Sequence, residues 1–470
     1  MTKFIVVGGG PVGCLAALQL AKHGHHVTIY EGRHEIPNDP EQSYPIGVNP
    51  RGLHAIESVA PDVAAQIRKE GRLVDAWDIY AGPRRVAHQP SGVVYGTSRG
   101  AVNLHLWRAC EQLPDKITLV MCHRLRSMDF NAKTLTFDVM DPQNPNVKQS
   151  VVVNAEDARI IAADGVHSTV RTCVRDADSG FLVDVLPWTN EYRVLFGIPG
   201  KLTDEIDPAV HYIFTGGYTA VIDNGGQLQW TLTTTVRDAD SDSSLSQLVH
   251  ESEATEDNIA KLKKWIDSIA PAFAALVPEQ EWSKYFSRRT YRGAVVHCNR
   301  FHFGQWVVLL GDAAHSVLPP TGEGINSGME DTFVLSECLA SGGEADLFER
   351  YTAARKPDIQ ALFDYASHLN TSPTFAGERI ARLIFLIVEN SSKTSIGENL
   401  FGPSGAKRLS YRKIVDTWRL RRAIWLNLAR LITYPLAGIA ALISLPFSLF
   451  KAKTPKKLEK TPQKQLQGVV

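Results

Sequence analysis

Apolar and polar positions follow one another along this chain in three different ways. The first is the short, wholly apolar run. Phe4-Ile5-Val6-Val7 reads as a strand buried on both faces, and Arg159 to Ala163 and Trp306 to Leu310 repeat the pattern much later. The first run leads into a glycine-rich loop. Leu15, Leu18 and Leu20 then mark a helix that Gly24 stops, and Val27-Thr28-Ile29-Tyr30 forms a second strand ending at Glu31. The second pattern is alternation. Between about 180 and 300, Tyr212-Ile213-Phe214, Ala220-Val221-Ile222 and Leu228 to Val236 are strand-like, and Gln229-Trp230-Thr231-Leu232 alternates as in a sheet with one covered face. Asp223-Asn224-Gly225-Gly226 is a hairpin signal between two of these strands. Leu73 to Tyr95 gives further strands, broken at Gly82-Pro83 and Ser91-Gly92, and Ser244 to Ala275 has a helical period. The third pattern is a stretch of 20 residues without a charge, Leu431 to Phe450, near the C-terminus.

Smaller elements fill the gaps. Pro37 to Pro50 reads as a loop before a helix begun by Arg51-Gly52-Leu53, and Ser98-Arg99-Gly100 leads into a helix through Leu104, Leu106 and Trp107. Strands follow at Ile117 to Met121 and Thr134 to Val139. The alternation of strands and helices predicts an α/β fold: a Rossmann-like dinucleotide-binding domain interleaved with a β-sheet substrate domain.

The loop after the first strand carries chemistry. In Gly8-x-Gly10-x-x-Gly13, the first glycine permits the tight turn, the second lets backbone approach a pyrophosphate, and the third lets helix and strand pack closely. Glu31 lies near the spacing at which a carboxylate accepts hydrogen bonds from an adenosine ribose. The alternative for the glycines is a purely structural turn. Composition narrows the rest: Lys plus Arg and Asp plus Glu are 50 each, so no net field favours nucleic acid. The six cysteines show no C-x-x-C pair, which argues against a zinc site or disulfide framework and fits a reducing compartment. The strand starting near residue 4 leaves no expected room for a cleavable leader ahead of it.

Two further motifs follow. Asp164-Gly165-x-x-Ser168-x-x-Arg171 comes at the end of one apolar strand, where a plain strand-turn-helix with an N-cap is the alternative, and Gly311-Asp312-Ala313-Ala314-His315, then Pro319-Pro320-Thr321-Gly322-Glu323-Gly324-Ile325-Asn326, at the end of another. Taken in this order, the three motifs resemble the single-component flavoprotein hydroxylases, the para-hydroxybenzoate hydroxylase family, over roughly the first 370 residues. Ser98-Arg99-Gly100, His123-Arg124-Leu125 and Asn49-Pro50-Arg51-Gly52 bring the chain closest to the kynurenine 3-monooxygenase-like branch. The resemblance implies FAD as cofactor and NADPH or NADH as reductant. It further implies that a flavin C4a-hydroperoxide transfers one atom of O2 to a small organic substrate.

By the same resemblance, FAD is bound by Gly8, Gly10, Pro11, Val12, Gly13, Glu31, Gly47, Arg99, Leu125, Asp164, Gly165, Asp312, Pro319, Gly322, Gly324, Ile325 and Asn326. The helix after the third motif is expected to aim its N-terminus at flavin N1 and the C2 carbonyl, and His315 to be a packed residue rather than a base. Tyr95 matches a substrate-site tyrosine. Trp77 stands where the branch carries the arginine that pairs with its amino-acid substrate, and Glu323 replaces a common glutamine. Aromatic hydroxylation and alkene epoxidation both remain open. So do a flavin reductase or oxidase without oxygen insertion and a non-enzymatic FAD-binding protein.

The expected organisation is FAD-binding at 1–72, 98–180 and 301–370, substrate strands at 73–97, a substrate domain at 181–300, a helical region at 371–450 and a disordered Lys-rich tail at 451–470. Arg419, Arg421, Arg422 and Arg430 among Leu, Ile and Trp suggest a basic interfacial helix, and 431–450 is long enough to cross a hydrocarbon core of about 30 Å. Pro435 and Pro446 point equally to a broken or in-plane hairpin, and a helix docked on the protein itself is the remaining alternative. Membrane attachment through this segment would leave the catalytic part facing the cytosol. No nucleic-acid or metal partner is expected.

Overall fold

The computed structural model describes residues 2–37, 44–141, 144–187, 190–236, 247–248, 251–317, 322–369 and 375–451, without the side chains of 144–148, 187, 369, 376 and 440–451. The chain forms two compact units, residues 1–370 with 392–417, and residues 371–391 with 418–470.

The three apolar runs of the sequence become neighbours in one sheet of the first unit. Its six strands stand in the order His302–Phe303, Val307–Leu309, Ala158–Ala162, Lys3–Val7, His26–Tyr30, Ile117–Val120. All pairings are parallel except that of the short edge strand His302–Phe303. Val6, Ile160, Ile161, Val307 and Val308 are fully buried, as strands covered on both faces require. Because Val7 pairs with Ala162 and Ala162 with Leu309, the glycine loop, Asp164 and Gly311 all leave the sheet at one edge. Ligands of open parallel sheets bind at the carboxyl ends of such strands.

A second sheet has seven strands, ordered Glu191–Phe196, Gln227–Val236, Gly217–Asn224, Val210–Phe214, Arg72–Ala81, Arg84–Ser98, Pro45–Val48. One face packs on the helices Glu256–Ile269, Pro271–Ala274 and Glu279–Ser287 through Trp230, Leu232, Leu262, Trp265, Phe273 and Trp282. Two three-stranded sheets complete the unit: His123–Asp129, Thr134–Asp141 and Asn144–Asn154 in one, Val183–Pro187, Ala294–Cys298 and His315–Ser316 in the other.

Several expected boundaries shift. The loop placed at 37–50 contains the strand Pro45–Val48, whose backbone pairs with Tyr95 to Ser98. Ser91-Gly92 does not end its strand, because the register shift between Val74 and Ala76 absorbs the irregularity and pairing resumes at Val94. Within the span expected to be helical from Ser244 to Ala275, the described residues include the helix Glu256–Ile269, whose start is capped where the Thr255 hydroxyl accepts from the Asn258 amide at 3.2 Å.

In the second unit, the helix Ala376–Asn390 lies beside the helix that runs unbroken over Tyr411–Lys451, through Pro435 and Pro446, so the chain is not broken into a hairpin there. Arg421 pairs with Glu389 and Arg430 with Glu378, which also accepts from the Tyr434 hydroxyl at 2.6 Å. Arg421 and Arg430, expected on the basic face of an interfacial helix, are thus engaged within the helix pair. Among the described residues no helix is long and apolar enough to cross a membrane, so the spanning form of 431–450 is not supported. The side chains from 440 onward, and residues 452–470 of the tail, lie outside the described residues.

Candidate flavin and substrate site

The glycines of the first motif divide their work. A Cβ on Gly13 would stand 1.9 Å from the Gly8 carbonyl oxygen, and one on Gly8, at φ +103°, 2.5 Å from that of Ala163. Both positions are closed by the protein's own backbone. A Cβ on Gly10 meets nothing within 4 Å, and the same is true of Gly165 and Gly324. Open space lies where a ligand backbone would come close. The helix Pro11–Lys22 begins here with Pro11 in its first turn, and the first intrahelical donor is Cys14, to the Gly10 carbonyl at 3.0 Å. The Val12 and Gly13 amides therefore precede the helix's own hydrogen-bond ladder and suit an anion. These features fit a dinucleotide.

Glu31 sits at the end of its strand as expected, but its carboxylate is already engaged. It accepts from the Gly9 amide at 2.7 Å and from the Arg33 backbone and side chain at 2.8 and 2.9 Å. Although burial acts to raise it, the Arg33 contacts leave the Glu31 carboxyl below its ordinary range. Leu125 is buried in the strand His123–Asp129, whose entry passes Glu31 through the His123 amide.

The middle motif is a cap. The Asp164 carboxylate accepts from the Ser168 hydroxyl at 2.5 Å and from the Thr169 and Val170 amides at 2.7 and 3.2 Å, closing the start of the helix Thr169–Ala177. Arg171 of that helix reaches the Ala313 carbonyl at 3.0 Å, so the middle motif is tied to the third. Gly311 packs on Val12, and a Cβ on Gly328 would stand 2.9 Å from Val12 Cγ2, which ties the third motif to the first.

Asp312 is exposed. Arg99 is the strongest opposite charge acting on its carboxyl. His315 is buried against the Asp331 carboxylate at 2.7 Å, packed rather than free to act as a base. Asp331 also accepts from the Gly311 amide at 2.8 Å and from Arg355 at 2.7 Å, and it stays below the ordinary carboxylate range because His315 and Arg355 outweigh burial.

Beyond the third motif, Asn326 ties two strands of chain together: its amide donates to the Gly47 carbonyl at 2.9 Å and the Gly322 carbonyl at 3.2 Å. Gly47, Gly322, Gly324, Ile325 and Asn326 thus come together at the start of the helix Gly324–Gly342. Pro319 lies outside the described residues. Glu323, fully buried, accepts from the Asn49 amide at 3.0 Å and from the Tyr411 hydroxyl at 2.6 Å. Tyr411 lies under the Arg51 guanidinium, 4.0 Å from ring centroid to charge, and Arg51 donates to the Leu409 carbonyl and to Glu330.

Tyr411, Arg355 and Phe401 are residues that the sequence did not mark. Phe401 meets Trp77 edge-on at 5.4 Å, and Trp77 meets His211 at 6.0 Å. His211 is pushed down to about 4 by burial, so this wall is aromatic and uncharged at neutral pH. Tyr95 stands on the neighbouring strand opposite Leu73, while Trp77 stands opposite Gln89, so the two expected substrate residues are separated along the sheet.

Comparison with known proteins places these features in a family. The family described as FAD binding domain matches residues 1–366. Kynurenine 3-monooxygenase of Neurospora crassa is 27% identical over 413 residues, 77% of each chain, and that of Myxococcus xanthus 29% identical over 378 residues, 77% of this chain and 76% of the other. Among solved structures, 2-methyl-3-hydroxypyridine-5-carboxylic acid oxygenase superposes with a TM-score of 0.60 at 17% identity, covering 78% of this chain and 91% of the other. The p-nitrophenol 4-monooxygenase PnpA of Pseudomonas putida gives 0.57 at 18% identity, over 92% and 99%.

Proposed function

The chain belongs to the FAD-binding-domain family and is an FAD-dependent monooxygenase, and from that premise we propose that it uses NADPH or NADH to insert one oxygen atom of O2 into a small aromatic or apolar substrate. Bound FAD supplies the redox chemistry, accepting reducing equivalents from the nicotinamide and activating O2. The protein's share is binding, orientation and exclusion of water. In this reading Gly8, Gly10, Pro11, Val12 and Gly13 hold the pyrophosphate, with Glu31 and Leu125 at the adenosine end. Arg99, Asp164, Gly165 and Asp312 border the middle of the cofactor, and Gly47, Pro319, Gly322, Gly324, Ile325 and Asn326 its ring.

The observation that carries the substrate class is the wall formed by Trp77, Phe401 and the neutral His211, which offers aromatic surface and no cation. A substrate carboxylate would find no partner on this wall, whereas an uncharged ring would stack or meet it edge-on. Tyr95, four positions farther along the same sheet, offers a hydroxyl at a distance from this wall. The test is product formed under 18O2 with NADPH or NADH: one labelled atom per product supports oxygen insertion. Unlabelled product with peroxide released would support an oxidase instead.

Association with a membrane surface belongs to the same proposal. Its support is the row of exposed apolar side chains Leu420, Ile424, Leu428, Leu431, Ile432 and Leu436 in the second unit. Such a helix lies in the interface rather than across it. Liposome flotation of the whole chain tests this, and a protein that stays at the bottom of the gradient removes it.

A further inference from the structure

We propose that Glu323 is a proton-holding positioning residue for the flavin ring, passing its protonation state through Asn49 and Asn326 to the Gly47 and Gly322 carbonyls. The inference rests on the FAD-dependent reading above. It begins from a departure already visible in the sequence, a carboxyl where the resembling enzymes carry a glutamine amide.

The relay is a continuous set of hydrogen bonds. The two Glu323 oxygens accept from the Asn49 side-chain amide at 3.0 and 3.1 Å, and Oε2 accepts from Tyr411 as well. Every one of these neighbours is a donor, which suits a carboxylate. Once protonated, Glu323 carries a donor of its own that points at donors, so Tyr411 or Asn49 must turn. Asn49 has little freedom to do so alone. Its side-chain oxygen caps the helix Pro50–Glu57 by accepting from the Arg51 amide at 3.0 Å, and its backbone amide donates to the Asn326 side-chain oxygen at 3.0 Å. The Asn326 amide in turn holds Gly47 and Gly322. A change at Glu323 is therefore felt at both carbonyls.

The surroundings keep the two states close in energy. Among the described residues, the charged and titratable groups facing the pair are Arg51 and Glu330, with Tyr411 itself and, on the far side of the Tyr411 ring, Arg355 at 5.6 Å. Burial pushes the Glu323 carboxyl up to about 7, with Arg51, Tyr411 and Asn49 opposing and Glu330 adding to the rise. The proton comes from and returns to solvent, and no other group is consumed.

The ionised carboxylate satisfies both donors and orders the loop, so FAD binds more tightly above neutrality than below it. Apoprotein titrated with FAD by fluorescence quenching, from about pH 6 to about pH 8, should show a dissociation constant that rises as pH falls, by at most about tenfold per pH unit for one proton. Glu323→Gln should flatten that dependence. Tyr411→Phe removes a donor to the carboxylate and should move the midpoint to higher pH. Infrared titration of the apoprotein should show a protonated-carboxyl band that disappears near neutrality and is missing in Glu323→Gln. An unchanged pH dependence in Glu323→Gln overturns the inference. If that variant does not fold, an unmoved midpoint in Tyr411→Phe does so. A wild-type protein that binds no FAD at any pH would instead overturn the reading on which the inference rests.

Discussion

In the proposed site, the nucleotide end and the ring end are built on opposite principles. At the nucleotide end, residues close in sequence act together: one loop, Gly8 to Gly13, supplies two glycines closed by backbone and one left open. Glu31 there is neutralised locally by Arg33 two residues away, and toward the middle of the cofactor Asp164 is met by the first turn of its own helix. At the ring end the partners come from far apart. Glu323 is met by Asn49 and Tyr411, and Asp331 by Arg355. A local motif tolerates distant change, because its partners move with it. A long-range charge network loses a partner whenever any one of its segments shifts.

The largest expected effect separates these two kinds of construction at a single loop. Gly10→Val should leave the fold intact and empty the FAD site, because its side chain enters only the open space, whereas Gly13→Val should fail to fold, since even a Cβ there meets a carbonyl at 1.9 Å. Flavin absorbance and thermal melting of both variants check this, and a Gly10→Val protein with full FAD would place the cofactor elsewhere.

Next comes Arg355→Ala. It removes the buried guanidinium shared by Asp331 and Glu330, leaving Asp331 with His315 and the Gly311 amide and Glu330 with Arg51, and breaking such buried pairs costs up to about 3 to 5 kcal/mol. Denaturant unfolding should record that loss in the apoprotein, and a value under about 1 kcal/mol would mean that solvent reaches the network. Asp312→Ala is smaller again and acts on the cofactor alone, weakening FAD by about 1.5 to 3 kcal/mol if its carboxylate accepts a cofactor hydroxyl. Unchanged FAD affinity would take Asp312 out of the site.

The smallest effect is a slope in pH. His211 has a lowered pKa, so the unfolded chain binds the extra proton between about pH 6.5 and 4, and stability falls as pH is lowered through that window. Glu323 has a raised pKa, so the folded chain holds the extra proton between about pH 4.5 and 7, and stability falls as pH is raised. The two oppose each other, at no more than about 1.4 kcal/mol per pH unit each. Glu323→Gln should unmask stability that climbs with pH relative to wild type, and His211→Phe the reverse, both read from unfolding midpoints across that range.

How much the sequence disclosed follows the same division. The strand, loop and helix at 3–22 were legible because period and spacing are local properties. Asp164, Asp312 and Asn326 were legible as motif members, and the middle motif was also legible as a strand-turn-helix with an N-cap, which the Asp164 and Ser168 contacts show. Tyr411 and Phe401 gave no signal, because each becomes meaningful only by meeting Glu323 or Trp77, which lie 88 and 324 positions earlier. Arg355 was silent for the same reason. In the C-terminal helix, composition suggested lipid contact for four arginines, but ion pairing with Glu378 and Glu389 depends on the neighbouring helix and has no sequence period.

That Tyr411 closes a site opened by Gly8 has a consequence in time. A ribosome adding about 5 to 20 residues per second needs roughly 20 to 80 s to travel from one to the other. For most of that interval the glycine loop is already made while its sheet waits for Ala158–Ala162 and then Val307–Leu309 to join beside it, and Tyr411 comes later still. FAD that arrives early meets a cradle without a floor. If the proposed site is right, tight capture is a late, nearly post-translational event, and a nascent chain released before Tyr411 emerges should be flavin-poor however complete its glycine motif.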